Sequence, residues 1–346
     1  MARVPIFPLL GLALALAVSP LQAAVPPPFS SSITWDRGQE GTRLEAMQGK
    51  SVLVLFFQSW CPICNGWSGA MMKQLEETYG NDPAMVLVAL KTDGGSMKDA
   101  MTYLGTRTNP EKWLVGLDEG AVYHRQVTGG DALYDYLWVK PDGSVGGIDK
   151  VGTTVNKPGP KQYWITRDAQ QKLFRSGAGP LIKWEGEVPP DLQPAWRLAE
   201  RGNFARAISE SAKLKSRPDL SVQVGNFQKQ IGDVLKLRLD KLSTALDDAS
   251  NERRYFDYLA LRDMEKDFSG MPFSRTAQQV ADKHKSAPWL VPEEKAKQGY
   301  ESIMRKAGRA EDEKDEARIK EALKNHSEEF PDTVYGRIAA SAATAK

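Results

Sequence analysis

The feature that most constrains the fold is an unbroken apolar segment at residues 52–57, Val-Leu-Val-Leu-Phe-Phe. Consecutive apolar residues leave no polar face, so a strand formed by them must be covered on both sides. Strands of this kind lie in the middle of parallel sheets that are packed between helices. The segment therefore predicts a central strand, and with it an α/β architecture for this part of the chain.

The sequence after this strand continues the α/β pattern. Apolar side chains recur at four-residue steps in one segment and form short continuous runs in others, with turn-forming residues between them. The pattern predicts, in order, a helix at 64–79, a strand at 85–90, a helix at 98–104, strands at 136–139 and 145–148 joined by a turn, and a helix at 166–176.

The N-terminus is organised like an export signal. Arg3 precedes an apolar run at residues 6–18, and small residues follow. This order is typical of a secretory signal peptide, and the run is shorter than the about 20 residues of a membrane-spanning helix. A buried N-terminal helix is the alternative. We predict a signal peptide at 1–23, cleaved near Ala23, a mobile leader at 24–32, and a periplasmic protein with no membrane span after cleavage.

The composition limits the class of partner. Lys and Arg total 46 and Asp and Glu total 44, which gives a net charge of +2. A chain without a basic excess is not expected to have nucleic acid as its main partner. Hydrophobic residues make up 41% of the chain, which is enough for buried cores. The chain has only two cysteines, so a scaffold held together by several disulfides is excluded.

These two cysteines, Cys61 and Cys64, lie where the predicted central strand gives way to the following helix. Unpaired backbone N–H groups and the dipole at a helix N-terminus favour an anion, so the first sulfur gains thiolate character. The second thiol lies one turn further and can attack a mixed disulfide on the first. We predict Cys61 as the nucleophile and Cys64 as the resolving thiol, with their redox-active disulfide in place of a bound cofactor. Pro62 suits the first helical turn, and Trp60 is expected to cover the pair.

Two other hypotheses stay open for the same pair. Two cysteines at this spacing are also half of a zinc site, and they can form an inert structural disulfide. The sequence has no second pair, and its three histidines are scattered, so we predict no metal ligands. A copper or zinc carrier that uses the two thiols, and a redox-silent binding scaffold, remain the alternatives to a redox enzyme.

The segment 56–64, Phe-Phe-Gln-Ser-Trp-Cys-Pro-Ile-Cys, resembles the active site of the thioredoxin family. That family carries Trp-Cys-x-x-Cys at the end of a buried strand that opens into a helix. Together with the order of elements, the resemblance covers residues 33–179 and implies a thioredoxin-like domain that exchanges protein disulfides. The sequence between the two cysteines, a proline followed by a neutral residue, resembles that of periplasmic reductases and isomerases. The implied partners are protein thiols and disulfides, and an upstream or downstream redox protein.

The sequence departs from the family at two positions. The family usually has an acid on the central strand beneath the resolving cysteine, and counting back from Trp60 places Leu55 there. The family also has a cis-proline before the third strand. The corresponding position is at or near Tyr134, with no proline beside it, so Tyr134 is the supporting residue expected next to the cysteines. These departures are what keep the two alternative hypotheses open.

The composition changes after residue 179. Residues 180–193 contain Pro189 and Pro190 and predict a linker, and residues 194–346 show no strand pattern and predict an all-α domain. The segment 196–207 resembles the middle of a tetratricopeptide unit, but no 34-residue period is present. Long helices are predicted at 221–249, 251–268 and 293–325. We expect this helical domain to recruit a protein partner.

Overall fold

The structure of the protein is a computed structural model of the 346-residue chain. It describes residues 26–29, 33–36, 39, 42–60, 62–128, 135–150, 168–269, 271–307 and 313–344. The predicted signal peptide lies outside these residues, as do Cys61 and Tyr134. Within the described ranges, no helix combines the length and the apolar character that crossing a membrane requires.

A six-stranded sheet organises the first half of the chain. Its strands are Ile33–Trp35 (β1), Ser51–Phe57 (β2), Met85–Lys91 (β3), Trp113–Asp118 (β4), Asp135–Val139 (β5) and Val145–Lys150 (β6). They lie in the order β1-β4-β3-β2-β5-β6. The three inner strands β4, β3 and β2 are parallel, and β5, β6 and β1 pair antiparallel to their neighbours. The apolar segment thus forms a central strand.

Helices cover both faces of this sheet. They are Pro62–Tyr79 (α1), Met97–Gly105 (α2), Val122–Thr128 (α3) and Asp168–Arg175 (α4). Every residue of β2 is buried, because alternate side chains enter two different cores. Leu53 and Leu55 pack with Leu75 of α1 and with side chains of α2 and α4 on one face. Val54 packs with Tyr123 of α3 on the other.

The predicted fold class is confirmed, with two strands and one helix, α3, that the sequence did not reveal. The expected elements occur in the expected order as β2, α1, β3, α2, β5, β6 and α4. Strands β1 and β4 were missed. Gly116 interrupts the apolar run of β4, and a Cβ at this position would lie 2.7 Å from Leu90 and 2.8 Å from Ile33. Side chains of β1 and β3 therefore leave no room for a side chain at position 116, and glycine is required there. The glycine also interrupts the apolar pattern from which a strand would be predicted.

The second half is helical, as predicted. Its helices are Gln193–Glu200 (α5), Phe204–Ala212 (α6), Ser221–Asp247 (α7), Arg254–Asp267 (α8), Pro272–His284 (α9), Leu290–Ala307 (α10), Glu313–Glu329 (α11) and Val334–Thr344 (α12). Buried side chains from all of them form one core, which includes Phe227, Leu261 and Tyr300. The range 293–325, predicted as one helix, belongs to two helices, α10 and α11. A tetratricopeptide-like repeat array stays a prediction.

Buried and charged contacts join the two halves. Lys50, just before β2, forms an ion pair with Glu200 of α5. The carboxylate of Glu200 also accepts hydrogen bonds from the backbone N–H groups of Leu181 (3.1 Å) and Ile182 (2.7 Å). The segment between α4 and α5 is therefore fixed to the first half through one acidic side chain. The predicted domain limits themselves stay a prediction.

Candidate active site

The cysteine motif lies at the carboxyl end of β2. The strand ends at Phe57, and α1 begins at Pro62. Proline suits this first helical position because its missing N–H would have no partner there. Cys61 lies outside the described residues, and Cys64 lies in the first turn of α1. The motif is thus at a strand-to-helix junction, which is the placement that the predicted thiol chemistry requires.

Trp60 stands beside the motif with its side chain in solvent. The residue is 66% exposed, although Phe57, three positions earlier, is buried. The indole therefore offers apolar surface one residue before Cys61 in the chain. Its predicted role as cover for the cysteine pair stays a prediction.

Asp93, just after β3, holds the loop that leads into the motif. One of its carboxylate oxygens accepts three hydrogen bonds: from the Ser59 backbone N–H (2.8 Å), the Ser59 hydroxyl (2.9 Å) and the Trp60 backbone N–H (3.3 Å). The parallel register places Lys91, the last residue of β3, opposite Phe57, the last residue of β2. The two strands therefore end together, and the turn after β3 supports the turn after β2.

Lys91 supplies the charge that balances Asp93. Its ammonium group forms an ion pair with the second carboxylate oxygen of Asp93 and donates to the carbonyl of Gly94. The side chains of Lys91 and Asp93 are only 2% and 4% exposed. Burial alone would raise the pKa of Asp93, but the hydrogen bonds from Lys91 and Ser59 lower it below its usual value. Asp93 is therefore an anion that anchors the loop.

Sequence reasoning did not find Lys91 and Asp93. The signal was a lysine and an aspartate at the end of the second apolar strand. Because the carboxyl ends of parallel strands meet at one edge of a sheet, charged residues there belong beside the motif. The sequence near Tyr134 also contains two acids, Asp131 and Asp135. Asp131 lies outside the described residues, and Asp135 begins β5.

Leu55 occupies the position where the thioredoxin pattern has an acid. It is fully buried and pairs with Ala89 of β3 and Tyr136 of β5. The central strand thus offers no proton acceptor at this level. The ionisable groups that the structure places beside the motif loop are Lys91 and Asp93 at the strand end. The expected contribution of Tyr134 stays a prediction.

The described side chains give no candidate metal centre. No group of three or more His, Cys, Asp or Glu residues converges within the part of the chain that the structure describes. Cys61 lies outside that part, so the geometry of the two thiols does not enter this observation.

No protein-family model and no curated protein matches the sequence. Solved structures resemble its first half. The thioredoxin domain of a thiol-disulfide oxidoreductase from Bacteroides vulgatus is 17% identical, with 38% of this chain and 89% of that chain covered and a TM-score of 0.30. DsbF of Mycobacterium tuberculosis is 19% identical, with 38% and 82% covered and a TM-score of 0.27. A thioredoxin-like protein from Aeropyrum pernix is 13% identical, with 35% and 83% covered and a TM-score of 0.28.

The first half has a thioredoxin-like fold. Its central strand β2, the helix α1 that follows the cysteine motif, the parallel strand β3 and the closing antiparallel pair β5 and β6 carry this assignment.

Proposed function

We propose that the protein is an exported thiol-disulfide oxidoreductase that acts on protein disulfides through Cys61 and Cys64. The observation that carries the proposal is the position of the Cys-Pro-Ile-Cys segment between the buried strand β2 and the first turn of α1. The N–H groups of that turn and the helix dipole favour a thiolate at its N-terminal end. A signal peptide would deliver the chain to a compartment where disulfides persist.

The reaction transfers two electrons in two exchange steps. The Cys61 thiolate attacks one sulfur of a substrate disulfide, a new sulfur–sulfur bond forms, and the other substrate sulfur leaves as a thiolate that takes up a proton. The Cys64 thiolate then attacks the sulfur of Cys61 and releases the second substrate thiol. The substrate disulfide is reduced to two thiols, and the protein is left with a Cys61–Cys64 disulfide. An upstream dithiol protein must reduce it again.

The surrounding side chains have separate tasks in this scheme. Asp93 and Lys91 fix the backbone of Ser59 and Trp60, the two residues that precede Cys61 in the chain. The exposed indole of Trp60 provides an apolar contact for an extended substrate. Since Leu55 cannot accept a proton, the proton of Cys64 passes to water or to the departing substrate thiolate.

We further propose that the enzyme works as a reductase or isomerase and that the helical half binds the protein partner. Pro62 and Ile63, between the cysteines, carry no charge that would stabilise the reduced thiolate strongly. Weak stabilisation of the dithiol gives a low reduction potential, which favours electron donation. The helical half provides a large separate surface that the thiol exchange itself does not use.

Thiol reactivity tests this proposal. In the reduced protein, Cys61 should react with iodoacetamide at least ten-fold faster than Cys64, as resolved by mass spectrometry of the digested protein. The Cys64→Ser variant should accumulate mixed disulfides with substrate proteins, because the resolving thiol is missing. The Cys61→Ser variant, which keeps one thiol, is the matched control and should trap none. Faster alkylation of Cys64 would refute the assigned roles.

The same samples separate the two alternatives. A metal carrier would retain stoichiometric zinc or copper(I) in the reduced wild-type protein and lose it in Cys61→Ser. A redox-silent scaffold would show two thiols of ordinary reactivity and no reduction of an insulin disulfide. The proposed enzyme should reduce insulin with a stoichiometric dithiol donor and should lose this activity in either cysteine variant.

A further inference from the structure

A cavity of about 410 Å³ lies between the two halves of the protein, apart from the cysteine motif. Residues 43–48 of the first half form one side, and helices α6, α7 and α8 form the others. These first-half residues precede β2, whereas the motif follows it. A strand of this length spans about 20 Å, so these residues are remote from the start of α1.

The size and lining of the cavity suit a small organic molecule. Binding sites for such ligands usually measure about 300–1,000 Å³, with apolar walls and a few convergent polar groups. The larger apolar residues here come from three helices and from the residue that follows α8. They are Phe204, Leu235, Leu242, Met264 and Phe268.

Two of the acids that α8 contributes to the cavity already have a counter-charge, and a third is hydrogen-bonded. Arg43 forms ion pairs with Asp263 (2.9 Å) and with Asp267, both on α8. Asp257 of the same helix accepts a hydrogen bond from the Asn251 amide (2.8 Å). These contacts leave α8 with little capacity to attract a cationic ligand.

The basic side, on α7, has no such counter-charge. In the described part of the chain, neither Arg238 nor Lys241 has a carboxylate within 4 Å. Arg238 donates to the backbone carbonyl of Ala46 (2.5 Å), and its guanidinium lies 4.8 Å from the ring centre of Phe204. Burial lowers the pKa of Arg238 to about 10, with no acid opposing the effect. A desolvated cation that is bonded only to neutral groups, with no carboxylate beside it, favours an incoming anion.

We propose that this cavity binds a small organic carboxylate with an apolar body. The carboxylate faces Arg238 and Lys241, and the apolar body lies against Phe204, Leu242 and Met264. A guanidinium recognises a carboxylate through paired hydrogen bonds, and the apolar walls reject a bare, hydrated anion. The same chemistry is offered by a free acid and by the C-terminus of a peptide. Binding at this site does not depend on the cysteine pair.

Calorimetric titration of the full-length protein tests the proposal with three probes. N-acetyl-L-phenylalanine should bind saturably at one site per chain. N-acetyl-L-phenylalanine amide, which lacks the charge, and inorganic phosphate, which lacks the apolar body, should each bind at least ten-fold more weakly. Equal affinity for the acid and its amide, equal affinity for phosphate, or no saturable binding of the acid would overturn the proposal. A pentapeptide, Gly-Gly-Gly-Gly-Phe, distinguishes the two sources. If it binds more tightly than N-acetyl-L-phenylalanine, the site is assigned to a peptide C-terminus. If it binds more weakly, the site is assigned to a free acid.

Variants locate the binding. Arg238→Met should weaken the binding of N-acetyl-L-phenylalanine at least ten-fold, and Lys241→Met should weaken it several-fold. Lys236→Met, an exposed lysine of the same helix outside the cavity, is the matched control and should leave the affinity unchanged. Because Arg238 also bonds the backbone of residues 46 and 48, Ala245→Leu serves as a second variant that fills the cavity and keeps those bonds. Wild-type affinity in both Lys241→Met and Ala245→Leu would place the ligand elsewhere.

Discussion

Lys50 and Glu200, 150 positions apart in the chain, form a buried ion pair between the two halves of the protein. Their side chains are 1% and 8% exposed. Lys50 also donates to the carbonyl of Pro83, and Glu200 accepts from two backbone N–H groups at the start of the helical half. Each charge thus finds its counter-charge only when both halves are in place.

Loss of one partner of this pair should destabilise the whole protein. Glu200→Gln leaves the Lys50 ammonium buried without a counter-charge, so the free energy of unfolding should fall by about 3–5 kcal/mol. Urea denaturation followed by circular dichroism measures this change. The double variant Lys50→Met/Glu200→Leu should recover much of the loss, because no buried charge remains.

The control for this prediction is an exposed ion pair that also joins the two halves. Arg197 and Glu111 lie 3.7 Å apart with side chains 50% and 76% exposed. Glu111→Gln should change the free energy of unfolding by less than about 1 kcal/mol. An equal effect of Glu111→Gln and Glu200→Gln would mean that burial does not decide the strength of the Lys50 contact.

The sequence reveals the centre of the first half because its signals are local. A continuous apolar run followed by a cysteine pair marks β2 and the start of α1, and both lie where they were predicted. Strand β4 is equally buried, but Gly116 interrupts its apolar pattern because side chains of the neighbouring strands occupy the space that a side chain would need. The boundary between α10 and α11 was missed because the sequence around it is rich in helix-forming charged residues.

The supporting contacts of the site and of the interface are not local, so the sequence could not supply them. Lys91 and Asp93 reach the motif loop only through the register of β2 against β3. The pairing of Lys50 with Glu200 depends on how the two halves pack. In isolation, each of these residues reads as an ordinary surface charge. Their burial becomes visible only when the fold is known.

Two helical glycines should respond to the same substitution with opposite signs. A Cβ on Gly336 in α12 would lie 1.8 Å from the backbone carbonyl oxygen of Phe330, whereas a Cβ on Gly225 in α7 meets nothing within 4 Å. Gly336→Ala should destabilise the protein by about 2 kcal/mol or more, because backbone must move. Gly225→Ala should stabilise it by about 0.5–1 kcal/mol. Thermal unfolding of both variants measures the difference, and a stabilising Gly336→Ala would contradict the packing of α12.

His326 should make stability depend on pH in the mildly acidic range. Burial lowers the pKa of this side chain, outweighing a hydrogen bond with the backbone of Ala296 that raises it. The unfolded chain binds a proton as pH falls through about 6.5, and the folded protein does so only at lower pH. The contribution of the neutral His326 side chain to stability is therefore complete above pH 6.5 and is lost as pH falls below this value.

The His326→Gln variant isolates this contribution. Its free energy of unfolding should change less between pH 7 and pH 5 than that of the wild type, by at most about 1.4 kcal/mol per pH unit. The slope, rather than the level of stability, is the readout, because glutamine also alters packing against Phe330. Identical slopes in the two proteins would show that His326 binds its proton equally well in both states.

Asp93 should link the stability of the motif loop to the reactivity of Cys61. Asp93→Asn keeps an acceptor for the Ser59 N–H but leaves the buried Lys91 ammonium without its counter-charge. The protein should lose about 3 kcal/mol of stability at neutral pH. A net positive charge beside the loop also favours the Cys61 thiolate, so alkylation of Cys61 at pH 6.5 should become several-fold faster.

The stabilising effect of Asp93 should depend on pH in a definite direction. The lowered pKa of Asp93 means that its stabilising effect is present above the unfolded value of about 3.9 and is lost as pH falls through the folded value. The stability difference between wild type and Asp93→Asn should therefore shrink below pH 4. Glu77→Gln, an exposed acid of α1 without an ion pair among the described residues, is the control and should alter neither stability nor alkylation. Slower alkylation of Cys61 in Asp93→Asn, at unchanged stability, would show that Lys91 and Asp93 do not act on the motif through charge.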